Sequence, residues 1–123
     1  MSARQAQIGL AAVFLILGGW CLILPAMVLD LAFRPDYRSE APLVPILIAC
    51  FGAQAMLAGL FAAFAIFTRR TFAVLAVALL PFFAFDFWFT FVQPMLTPLG
   101  AIDAVGNLAM LGLCWIGWRR AEP

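Results

Sequence analysis

Four stretches of this chain, residues 8–29, 44–67, 72–91 and 99–118, run for about 20 residues each and carry two charges among them, Asp86 and Asp103. That length constrains the fold more than any other feature. An α-helix rises about 1.5 Å per residue, so about 20 residues cross the ~30 Å hydrocarbon layer of a bilayer. The runs lack the in–out alternation of barrel strands, so helices are expected. Composition agrees. Hydrophobic residues make up 67% of the 123 and charged ones 11%, where a soluble domain is about half apolar and a quarter charged. A chain this short cannot hide that much apolar surface inside itself. The first run is longer than the apolar core of a cleavable leader and no A-x-A site follows it, so it is read as retained.

Polar connections separate the runs. "DLAFRPDYRSEAP" carries charges and two prolines, "TRRT" is a tight turn, "VQPMLTP" holds two prolines, and "RRAEP" closes the chain. The expected architecture is therefore all-α: a single domain over residues 1–123, folded as an integral membrane bundle of four transmembrane helices. With four spans, Arg4, Arg69, Arg70, Arg119 and Arg120 share one side, while Arg34 and Arg38 lie on the other beside Asp30, Asp36 and Glu40. The arginine-rich side is cytoplasmic by the positive-inside rule, which places both termini there. Trp115 and Trp118 then sit at the inner interface, and Trp88 and Tyr37 near the outer one.

Several chemistries lack their residues. The chain has no histidine and no lysine, and its net charge is +1. Without histidine the commonest general base and metal ligand are missing. Cys21, Cys50 and Cys114 lie far apart in apolar runs, which suits buried thiols and not a metal or redox motif. No phosphate loop, nucleophile elbow or metal motif occurs. No cofactor, no metal and no nucleic-acid partner is expected.

The polar residues within the runs are few and share a depth. Asp86 lies 14 residues into the third run, about 21 Å from the inner face. Asp103 opens the fourth run, and Asn107 is one turn deeper on the same face. Gln54 falls near the midplane of the second. Each costs free energy against lipid, so each is expected to face the bundle interior. The expectation is a polar pocket in the outer half, built from Asp86, Asp103, Asn107 and Gln54. Asp30 and the first loop roof it. Trp88 and the aromatics Phe82, Phe83, Phe85, Phe87, Phe89 and Phe91 surround Asp86, some as its wall and more as lipid-facing filler. Interhelical hydrogen bonding that fixes packing is the simpler role for the same residues. A macrodipole charge at a helix start is the simpler role for Asp103.

Small residues Gly52, Ala55, Gly59, Ala62 and Ala63 recur on the second run, and Gly106, Gly112 and Gly117 on the fourth. They permit close helix approach, within the bundle or to a partner subunit. Pro25 and Pro81 each remove a backbone hydrogen bond and are candidate kinks.

"FGAQAMLAGLFAAFAIFTRRTFAVL", "LPFFAFDFW" and "DAVGNLAMLGLCWIGW" together resemble small four-helix bacterial membrane proteins of the DoxX-like and related uncharacterised families. Gly52, Gln54, Gly59, Arg69, Arg70 and Asp86 occupy the matching positions, with glutamine at 54 where arginine is usual. The resemblance implies the four-helix fold and a bacterial inner-membrane location, and supplies no reaction. The functional expectation is a non-catalytic binding or accessory subunit. Its outer pocket grips a lipid, quinone or other hydrophobic small molecule, and other membrane subunits are possible partners. The alternatives are a small isomerase-like membrane enzyme using paired carboxylates, and a proton-coupled transporter using Asp86.

Overall fold

The computed structural model describes residues 1–122 and is all-α, about 80% helical. Five α-helices follow in order: α1 Ala3–Ile23, α2 Pro25–Ala32, α3 Leu43–Phe64, α4 Arg69–Phe87 and α5 Ile102–Arg120. A 3-10 turn, Pro35–Tyr37, lies in the first long loop, and a π-helical turn, Trp88–Val92, prolongs α4. Among the described residues the only strand-like pairing is an isolated bridge between Phe33 and Leu96. Three helical segments are long and apolar enough to cross a membrane: Ala3–Ile23, Leu43–Phe64 and Arg69–Val92.

The helix boundaries follow local chemistry. α1 begins five residues before the apolar run because Ser2 and Gln5 form a capping box, with Ser2 N donating to Gln5 Oε1 at 2.8 Å. Thr68 and Thr71 form the equivalent cap on α4. The first apolar run is not one helix. Leu24 takes φ −126° and ψ 55°, and a new helix starts at Pro25, because proline drives the residue before it out of the helical region. Pro81 does not break α4, which continues through it to Phe87.

Seams of seven-residue spacing hold the helices together. On α3 the buried residues are Gly52, Ala55, Gly59 and Ala62; on α4, Phe72, Leu79 and Asp86; on α5, Asn107, Met110, Cys114 and Gly117. This is the knobs-into-holes period of left-handed helix packing. The buried small residues of α3 serve its crossing with α1. A Cβ on Gly52 would stand 2.6 Å from the Gly18 carbonyl oxygen, and one on Gly18 would stand 2.7 Å from that of Gly52. Only glycine allows backbones this close. Gly117 likewise opens a slot for the Phe72 ring, which a Cβ would overlap. Ala6 and Leu10 of α1 join Phe72, Leu79, Met110 and Cys114 in the main core.

The ends of the bundle are laced by polar groups. At one end Gln7, 4% exposed, donates from Nε2 to the carbonyls of Ala62 at 2.6 Å and Ala65 at 2.8 Å, capping the C-terminus of α3. At the same end Arg69 donates to the carbonyls of Trp118 and Ala121 and lies over the Trp118 ring. At the opposite end Thr97 N donates to the Ala32 carbonyl at 2.9 Å, its hydroxyl donates to Leu31, and Arg34 N donates to Met95 at 2.8 Å. The segment after α4 is thereby fixed across the end of α2.

Candidate functional site

Asp86, Asp103 and Asn107 converge at the end of the α4–α5 seam. Asp86 follows Phe72 and Leu79 at the same spacing, so it occupies the next core position of α4. Asn107 is the first buried position of α5 and Asp103 lies one turn before it. Asn107 Nδ2 donates to Asp86 Oδ2 at 2.8 Å and to Asp103 Oδ2 at 3.1 Å. One amide therefore spends both its hydrogens on two carboxyls. Those two oxygens lie at most roughly 6 Å apart, the two bonds laid end to end.

The cluster is closed on one side and open on the other. Asp86 is 8% exposed and Asn107 2%. Below them the seam is filled by Leu79 and Phe72. Asp103 is half-buried and is the member that reaches the surface. Gly106, beside Asn107 in the chain, has open space where its side chain would be. Among the described residues, no arginine bonds either carboxyl; the arginine side chains that make hydrogen bonds bind backbone carbonyls instead. The cluster is thus rich in acceptors and lacks a cation of its own.

The structure does not bring every expected residue here. Gln54 lies on the exposed face of α3, away from α1. The interior positions of that helix are taken by Gly52, Ala55, Gly59 and Ala62, and residue 54 is turned away from them at 100° per residue. Trp88 is exposed, as are Phe82, Phe85, Phe87 and Phe91. With Asp86 turned to α5, its sequence neighbours point outward, and only Phe83 of this group packs against the core. Asp30 is exposed on α2; the end of the bundle is closed instead by the Thr97 segment. Two surface cavities lie elsewhere. One, of about 670 Å³, sits at the Gln7 end among Arg4, Thr68 and Arg120. The other, of about 390 Å³, runs along α3 beside Leu57, Phe61 and Phe64.

Sequence reasoning passed over Gln7 and Thr97. Gln7 had a readable signal: it is a polar residue four positions before Ala11 on the face that carries Gly18. Thr97 had none, because its partners are carbonyls of a distant helix end.

The fold and site describe an all-α chain with three helices long and apolar enough to cross a membrane and a buried polar cluster between α4 and α5. No protein-family model, no curated protein and no solved structure matches it.

Proposed function

We propose that the chain is a four-span protein of the bacterial inner membrane, both termini cytoplasmic, acting as a non-catalytic binding or accessory subunit. In this reading α5 is the fourth span. It is 19 residues long and packs its seam against α1 and α4. Trp115 and Trp118 stack at 5.3 Å near its arginine end, where an inner interface would place them. The arginine asymmetry orients the bundle, and the resemblance to DoxX-like proteins accords with the architecture.

The observation that carries the functional reading is the meeting of two carboxyls on one amide with no protein cation beside them. Such a site favours a ligand bearing hydrogen-bond donors or positive charge. Its position, at the outer end of the seam and reached past Asp103, suits a lipid-like molecule with its head at the cluster and its tail along the exposed aromatics of α4. The apolar plug of Leu79 and Phe72 below Asp86 favours binding over proton transport, which needs a polar route onward.

The short separation of the carboxyls also supports a second reading. A half-buried Asp103 beside a buried Asp86 is the arrangement an acid–base pair would take in a small isomerase-like enzyme.

Native mass spectrometry of protein extracted gently from its own membrane tests the first reading. Wild type should carry a small hydrophobic mass that Asp86→Asn loses. Bare wild-type protein would overturn it.

A further inference from the structure

α3 is covered on one side only. Its glycine seam packs against α1, and most of the rest of its surface is open. A second seam of the same spacing runs along that open surface. Leu47, Gln54 and Phe61 recur every seven residues, and Cys50, Leu57 and Phe64 follow them by three residues each. All six are exposed. The fold therefore covers one stripe of this helix and leaves a second, carrying its one amide, open.

Gln54 makes the second stripe specific. It sits 11 residues into the 22-residue helix, at its midpoint. Its side chain is exposed, and among the described residues nothing bonds its amide. In a bilayer this depth holds only hydrocarbon, which offers neither donor nor acceptor. The side chain is too short to reach either interface from there. An amide is both donor and acceptor, so its simplest complement is another amide. A membrane protein's copies all insert the same way round, so two α3 helices meet in parallel about a two-fold axis and each stripe position faces itself. A single polar residue in such a stripe fixes register.

We infer that the Leu47–Phe64 stripe of α3 docks a second copy of this chain, with Gln54 hydrogen-bonded to its counterpart across the two-fold axis. The dimer rests on the membrane reading of α3 and is independent of any ligand at Asp86. Small residues are not its basis, since the glycines of α3 are used against α1.

Cys50 provides the test. It is a free, exposed thiol on the stripe one turn from Gln54, whereas Cys21 and Cys114 are buried. In native membranes treated with copper phenanthroline, Cys50 should give a disulfide-linked species of twice the chain mass. Cys50→Ser should abolish it, and Cys21→Ser and Cys114→Ser should leave it intact. Gln54→Leu, a change on an exposed face, should lower the cross-linked fraction several-fold. A thiol moved to the exposed face of α4 (Val77→Cys in Cys50→Ser) should cross-link far less. Three results overturn the proposal: folded protein that stays monomeric, Val77→Cys that links as readily as Cys50, or Cys50 linked to a different polypeptide. Washing the same membranes with alkaline carbonate separates this failure from failure of the membrane reading, because only the latter releases the protein.

Discussion

The Asn107 amide on α5 stands 2.8 Å from the Asp86 carboxylate on α4, one core position beyond Leu79. This bond ties two helices together at the layer where an apolar residue would otherwise continue the seam. Removing the amide leaves two buried or half-buried carboxyls without their shared donor, which costs more than removing one carboxyl. Asn107→Leu is therefore expected to destabilise the bundle by about 1–3 kcal/mol. Asp86→Asn, which keeps shape and hydrogen bonding, should cost less. Thermal unfolding in mild detergent followed by circular dichroism should rank them in that order.

The α1–α3 crossing depends on backbone contact. Gly52→Val drives a side chain into the Gly18 carbonyl and should cost about 3 kcal/mol or more. Gly19 and Gly112 have open space around them. Gly19→Ala and Gly112→Ala should leave the unfolding midpoint near that of wild type, which separates crowding from helix propensity.

Phe72 and Gly117 form a second steric pair. Gly117→Ala is expected to lower stability by about 1–3 kcal/mol, because the ring has no free volume to move into. Phe72→Leu in the same chain should recover part of that loss. A double-mutant cycle measures the coupling, and additive costs would contradict the slot.

How much of this was legible in the sequence depends on the kind of constraint. Apolar length marks three helices long enough to cross a membrane, α1, α3 and α4, but the four runs it counts become five α-helices, because the first run divides at Pro25. The Asp86–Asp103–Asn107 meeting was legible by depth, since rise per residue and chain direction place all three in one layer. Gln54 was misplaced because depth says nothing about facing. The seven-residue spacing of Gly52 and Gly59 is the cue that assigns the inner face of α3, and it turns residue 54 outward. The break at Leu24 was signalled by Pro25, but the same signal at Pro81 produced no break. The sequence alone does not distinguish these two prolines. The closure by Thr97 depends on contacts between residues more than sixty positions apart.

Gln7 caps the end of α3 from another helix. Gln7→Leu leaves the Ala62 and Ala65 carbonyls without their donors and should cost about 1–2 kcal/mol. Hydrogen exchange should show the loss first as faster exchange in the last turn of α3 and the 65–68 turn. Uniform loosening of the whole bundle would argue against a local cap.

The central claim is that the Asp86–Asn107–Asp103 cluster receives a donor-bearing, lipid-like molecule. The most direct measurement is a native mass comparison of wild type, Asp86→Asn, Asp103→Asn and Gln54→Leu, each extracted under the same mild conditions. The account predicts one co-purifying small mass on wild type and Gln54→Leu, absent from both aspartate variants. The same mass retained by Asp86→Asn and Asp103→Asn would contradict it and leave the cluster as a lock between α4 and α5.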